Sequence, residues 1–358
     1  MNLRFIGLGL YLLVCWIPAS AQAPKFSNDF LNIGIGARGM AMAGASSSHT
    51  VSVQAAYWNP AGLPYNPARF QVSAQHADWY AGVGSYDYIA FGKRLDDEVK
   101  SFGSISIVRM AIDQIPNTLR LRGPDGSIDY SKIESFSVSD YGIFISYGRK
   151  WNDTRWSAGF SSKIIHRSFG SFAKAWGFGV DAAIRFQSND FSASITGRDI
   201  TTTFNSYRFN FNVEEQAILS QTGNVIPSSS VEYTLPKVIL AASKKFRFSE
   251  TSYLLTAFDL ECSTYGTQAS ILGLNRFILD PKMGIEGAYL GKVFLRFGVG
   301  NFQRLRDEFD RSKRNLTFSP SAGMGLKLGK LTLDYAMTNI GNAGAGYYSH
   351  FISLLLDL

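Results

Sequence analysis

From Trp176 to Phe186 every second residue is apolar, and most are bulky: Trp176, Phe178, Val180, Ala182, Ile184 and Phe186. The residues between them are Gly177, Gly179, Asp181, Ala183 and Arg185. A period of two is the period of a β-strand, whose side chains alternate between faces. A soluble sandwich turns its large residues inward and rarely sets so many glycines on the other face. A strand crossing lipid turns the large residues outward and tolerates Gly, Asp and Arg in a wet or filled interior. The pattern recurs in Trp156–Ile164, Leu254–Glu261, Val293–Gly300 and Gly323–Leu328.

Continued along the chain, the alternation predicts strands at 68–80, 84–95, 102–113, 141–151, 155–167, 174–187, 190–200, 205–214, 235–247, 252–262, 281–290, 292–301, 320–328, 331–338 and 349–358. Closed single-chain barrels of this kind usually have an even number of strands. The expectation is therefore an all-β transmembrane antiparallel barrel of about fourteen strands, with either 68–80 or 205–214 misassigned. Short turns such as Gly291-Lys292 and Gly329-Lys330 join neighbours as hairpins. The long polar connections 114–140, 215–234, 263–280 and 301–319 form the candidate partner surface. It includes Pro116, Asn117, Arg120, Arg122, Arg304 and Arg306. The last residues alternate to the carboxyl end through His350, Ile352, Leu354, Leu356 and Leu358, as a closing strand would.

Composition agrees with a barrel. Charged residues are only 18% of the 358, against about a quarter in soluble domains, and aromatic residues reach 14%. A mean hydropathy of -0.02 excludes a bundle of membrane helices. The first residues read as a signal peptide: Arg4, an apolar run from Phe5 to Ile17, and a small-x-small site at Ala19-Ser20-Ala21. Cleavage near Ala21 removes Cys15 and leaves Cys262 alone, so no intrachain disulfide is expected. Domain limits follow as a signal peptide over 1–21, a plug over 22–67 and a barrel over 68–358.

Phe30 to Leu63 departs from the alternation. It holds Gly34, Gly36, Gly39, Gly44 and Gly62, a run of Ala and Ser, and the block Tyr57-Trp58-Asn59-Pro60. Glycines permit close backbone approach and positive φ, and Asn-Pro suits a turn. With few bulky side chains of its own, the segment is expected to fold inside the barrel as a plug. Arg38 is its one charged residue. A buried guanidinium needs a partner, and the lumen-facing carboxylates Asp181, Asp259 and Glu261 are the candidates.

Sites for catalysis are not evident. His49, His76, His166 and His350 lie far apart, with no metal-ligand spacing and no G-x-S-x-G elbow. His166 falls on the lipid-facing register, where a catalytic base would point the wrong way. The Gly34-x-Gly36 pair lacks the strand before it and the acidic residue about twenty positions later that a dinucleotide fold requires. The +7 net charge is dispersed, with no basic and aromatic cluster for nucleic acid. The reading is a non-enzyme with no cofactor and no metal.

The block Phe30-Leu31-x-Ile33-Gly34-x-Gly36-Ala37-Arg38-Gly39-Met40-Ala41-Met42-Ala43-Gly44-Ala45, with Ala56-Tyr57-Trp58-Asn59-Pro60-Ala61-Gly62-Leu63, resembles the N-terminus of the PorV/PorQ family of Bacteroidetes outer-membrane proteins. Leu331-Thr332-Leu333-Asp334-Tyr335-Ala336-Met337-Thr338-x-x-Gly341 resembles that family's penultimate strand. The Asn-Pro-Ala-Gly part is also similar to the N-terminal hatch of the FadL long-chain fatty-acid transporters. The resemblance implies a role in type IX secretion: binding cargo with a C-terminal sorting domain, or the translocon, through extracellular loops, without a cofactor. The terminal Leu358 departs from the Phe that commonly ends such barrels. A FadL-like channel for hydrophobic small molecules is the alternative. The Gly, Ser, Asp, Arg and Lys at the assigned lumen positions weigh against an apolar path and for partner binding.

Overall fold

The computed structural model describes residues 27–98, 100–121, 126–151, 154–221, 229–264, 272–274, 277–306, 313–339 and 348–358. The proposed signal peptide and Arg122 lie outside them. Fourteen antiparallel strands follow one another around a closed barrel. They are β1 (Phe70–Trp79), β2 (Gly84–Arg94), β3 (Ser101–Asn117), β4 (Glu134–Lys150), β5 (Trp156–Phe169), β6 (Ala173–Gln187) and β7 (Phe191–Arg198 with Thr203–Phe209). Then come β8 (Ser229–Thr234 with Lys237–Arg247), β9 (Tyr253–Ser263), β10 (Phe277–Tyr289), β11 (Val293–Arg306), β12 (Arg314–Leu328), β13 (Leu331–Thr338) and β14 (Ser349–Asp357). A three-residue strand, Leu272–Leu274, adds to β10. Closure is made by β14 on β1, from Gln71 opposite Asp357 to Asp78 opposite His350.

The expected count of fourteen holds, but the surplus candidate is 205–214, not 68–80. The two halves of β7 both pair with β6, one below and one above an interruption at 199–202. Asp199 and Thr202 take φ of 53° and 57° there. The neighbouring strand breaks at the same height, between Thr234 and Lys237. Pro236 has no N–H to offer the ladder at that point.

Side chains alternate between the two faces as the sequence implies. Trp176 is 59% exposed on the outside, whereas Arg185, nine residues on, is 2% exposed inside. Ile105, Ile145, Phe160, Ile195, Leu295, Phe297, Met324 and Ile352 extend the apolar exterior around the wall. A belt of this kind is stable against hydrocarbon and not against water. Short turns occupy the end that also carries Leu358; longer connections gather at the other.

At the long-loop end the strands run further than the alternation predicts. Pro116 and Asn117 pair with Ser135 and Glu134, and Arg304 and Arg306 pair with Leu316 and Arg314. These four are strand residues, not loop residues. Register shifts between Ile112 and Ile115 and between Gly300 and Gln303 move the side-chain alternation out of phase, which erases the period of two in the sequence.

Residues 27–66 lie inside the barrel. They form two short helices, α1 (Ala37–Ala41) and α2 (Ala55–Trp58), and two 3-10 turns, Asp29–Asn32 and Pro60–Tyr65. The segment has more of a core than its composition implies. Phe30, Ile35, Met40, Tyr57 and Trp58 pack against Tyr86, Tyr88, Val108, Phe144, Ile165 and Phe351 of the wall. The inward positions of β2 to β5 are thus partly large and apolar, which corrects the expectation of a uniformly small or charged lumen.

Candidate functional site

Backbone packed on backbone defines the interior. A Cβ on Gly159 would stand 2.3 Å from the carbonyl carbon of Pro60, and one on Gly298 would stand 2.2 Å from that of Met42. The glycines that alternate with aromatics along β5 and β11 are therefore where the luminal segment touches the wall. Within the segment, Gly36 takes φ 75° and its N–H donates to the Gln75 side chain. Gly34, Gly39 and Gly44 lie under the Trp58 ring, and Gly62 sits against the Thr50 carbonyl.

Polar side chains on the inner face satisfy the segment's irregular backbone. The indole of Trp58 donates to the Ile35 carbonyl at 3.0 Å, and the Tyr57 hydroxyl donates to that of Leu31 at 2.6 Å. Asn59 accepts from Ala61 N–H at 3.0 Å and donates to the Ser47 carbonyl at 2.7 Å. Gln71 accepts from Val53 N–H at 2.6 Å, and the Ser157 and Ser161 hydroxyls donate to the Ala61 and Ala56 carbonyls, both at 2.8 Å. Arg198 donates to the Tyr57 carbonyl at 2.9 Å. Buried backbone groups need such partners. The sequence signal for them is the polar inward register of Gln71, Ser73 and Gln75 in β1.

Arg38 pairs with Glu286, not with Asp181, Asp259 or Glu261. Its Nε and a terminal nitrogen reach the two carboxylate oxygens at 2.7 and 2.8 Å. Arg296 also donates to Glu286 at 2.6 Å and to Asp334 at 2.7 Å, so four charges run in line from α1 across β10 and β11 to β13. The helix α1 packs on β11, β12 and β13, away from the three expected partners. Asp259 instead accepts from Ser46 and Ser47 N–H at 3.2 and 2.9 Å. Asp181 contacts Lys163 at 2.8 Å. Glu261 lies between Lys237 and Lys282 at 2.7 and 3.1 Å, and Lys237 also donates to Asn32 of the segment at 2.8 Å. His49, in the segment beside Arg38, has its ring pKa pushed well down, first by burial and then by that guanidinium.

Among the described residues, three hollows open towards the long-loop end. One of about 290 Å³ lies over the segment, lined by Trp58, Trp79, Arg198, Asp259, Glu261 and Lys282. A second, of about 480 Å³, is aromatic: Phe30, Phe169, Phe172, Tyr207, Phe209 and Phe211 surround it, with Arg167 and Glu232 at one side. The largest, about 1440 Å³, is a groove between loops, lined by Pro116, Asn117, Arg120, Phe136, Phe211 and Glu214. Arg120 bridges the loops, reaching Glu214 of the helix α3 (Val213–Gln221) at 2.8 Å and Glu134 at 3.6 Å. The structure brings Pro116, Asn117 and Arg120 together here. Arg304 is exposed on β11 and does not line this groove.

Among solved structures, the toluene transporter TodX of Pseudomonas putida superposes with a TM-score of 0.60 at 12% identity, over 94% of this chain and 100% of that one. The fold is that of the FadL-type channels. A FadL homologue from Pseudomonas aeruginosa matches with a TM-score of 0.52 at 12% identity, covering 94% and 100% of the two chains. The CymD monoaromatic hydrocarbon channel matches at 0.56 and 12% identity, covering 91% and 98%. No protein-family model and no curated protein matches the sequence. The FadL-type likeness, at this identity, concerns architecture.

Proposed function

We propose that this protein is a non-enzymatic barrel of a Gram-negative outer membrane that acts by binding at its extracellular end. Its long-loop end faces outward, its short turns face the periplasm, and residues 27–66 plug the lumen. The observation that carries this reading is the roughly 1440 Å³ groove between the bridged loops, set above a lumen filled by a segment packed main chain to main chain on the wall. A surface of that size beside a closed pore suits a partner better than a flow of solute. The Gly-Ala-Arg block of the luminal segment adds the type IX secretion reading, with a cargo sorting domain or the translocon as the occupant. Affinity purification from native membranes, with a tag placed between β13 and β14, tests it. Recovery of a giant barrel or of sorting-domain cargo supports the proposal, and loss of that recovery in Arg120→Glu ties it to the groove. Recovery of the barrel alone counts against it.

A second reading rests on the aromatic hollow of about 480 Å³. It is large enough for a small apolar molecule and is lined as such sites are, and the solved neighbours include transporters and channels named for toluene and monoaromatic hydrocarbons. Under this reading the chain takes up a hydrophobic compound. Equilibrium binding of a radiolabelled monoaromatic, abolished by Phe172→Ala with Phe211→Ala, supports it; unchanged binding in that variant removes it.

A further inference from the structure

We propose that the short-turn mouth of the lumen holds an oxyanion-binding site built from Arg94, Lys150 and Arg185, with a phosphate-type anion as its ligand. The three residues are lumen-facing, near the ends of β2, β4 and β6, so alternate strands carry them to one sector of the rim. They surround the last turn of the luminal segment. The Lys150 Nζ lies 4.5 Å and the Arg185 Cζ 5.0 Å from the centre of the Tyr65 ring. Arg94 donates to the Pro67 carbonyl, two residues further on, at 2.8 Å.

Arg185 is the most deeply buried of the three. It is 2% exposed, and it donates to the Thr50 carbonyl at 2.8 Å and to Gln187 at 2.6 Å. Its Nε is buried without an acceptor, and so is the Nε of Arg94. Among the described residues none of the three cations forms an ion pair. Several other lumen cations do: Lys163 contacts Asp181, Lys237 contacts Glu261, and Arg296 contacts Glu286 and Asp334; Arg198, further up the lumen, shares the open Nε and donates to the Tyr57 carbonyl. Asp96, in the turn after β2, is engaged by Lys100 N–H and Ser101.

Burying a guanidinium without a counter-charge is costly, and two further cations beside it raise that cost. Buried donors left open in a native protein mark a place for a water or an ion. Two free Nε–H groups and an ammonium match the several acceptor oxygens of a phosphate, which guanidinium binds through directed hydrogen bonds. Turn Pro60–Tyr65 packs across β3 to β6 on the lumen side of the three cations, so the anion enters from the short-turn side, the periplasm in the orientation proposed above. Bound there, it ties the end of the luminal segment to β2, β4 and β6.

The phosphate could come from solution or from a lipid headgroup. The test is thermal unfolding of the full chain in maltoside micelles as inorganic phosphate replaces sodium chloride at constant ionic strength. In parallel, the chain is melted in phosphatidylcholine nanodiscs with and without phosphatidylglycerol. At about ten times the dissociation constant, a rise in Tm of roughly 2 °C is expected. Arg94→Gln with Lys150→Gln removes the rise while the variant still melts cooperatively. A rise with free phosphate assigns the dissolved source, and one seen only with phosphatidylglycerol assigns the headgroup. No rise under either condition, or a rise that survives in the double variant, overturns the site.

Discussion

Glu286 carries two arginines, Arg38 from the luminal segment and Arg296 from the wall, and is itself fully buried. Replacing it with alanine strands both guanidinium groups, and loss of one member of a buried ion pair costs about 3–5 kcal/mol. Glu286→Ala is expected to melt well below the wild type, and Asp334→Ala by less, because Arg296 keeps Glu286; differential scanning calorimetry in detergent measures both. His49 gives a pH signature. Its folded pKa lies below the value of about 6.5 found in an unfolded chain. The unfolded state therefore binds the proton first, so His49 contributes full stability above about pH 6.5 and loses it progressively as the pH falls below that value. His49→Gln is expected to flatten the fall in Tm between about pH 6.5 and 5. The inside–outside assignment of β6 was legible in its alternation. The partner of Arg38 was not: it depends on which strands α1 faces, and no local pattern encodes that.

At the scale of elements, the strands inside the apolar belt are readable and their extensions are not. Within lipid one face must be apolar; beyond it both faces are wet and the period disappears. The shifts at Ile112 and Gly300 then move Pro116, Asn117, Arg304 and Arg306 from presumed loops onto strands. The interruption in β7 has a comparable cause, since Asp199 turns inward to Lys163 and divides one strand into two apparent ones. Contact between β5 and the segment offers a direct test. Gly159→Val must displace the Pro60 main chain, which sits 2.3 Å from any added Cβ. Overpacking of this kind costs about 1–3 kcal/mol. The variant is expected to lose resistance to protease within 60–66, measured by mass spectrometry of the fragments, while the barrel still shifts on heating in gel electrophoresis.

For the whole molecule, the all-β barrel was legible because every strand repeats the same constraint. The lumen was read too simply, as small and polar. Tyr86, Tyr88, Phe144 and Phe351 face inward because Phe30, Tyr57 and Trp58 are there to meet them. A plug that shares its core with the wall is expected to seal. Deletion of 30–63 should open a steady conductance in planar bilayers that the intact protein lacks; unchanged conductance would mean that the segment is no seal.

The seam between the first and last strands carries a consequence for assembly. Phe70 and Leu358 exchange backbone hydrogen bonds at 3.2 and 2.8 Å, so β14 completes the ring on β1. The residues that fill the interior are made first and those that close it are made last. Main-chain packing at Gly159 and Gly298 leaves no slack for threading a folded segment through a finished ring. The interior is therefore expected to be in place, at least as a loosely docked chain, before β14 pairs with β1. Filling before closure is the order of biogenesis that this packing favours.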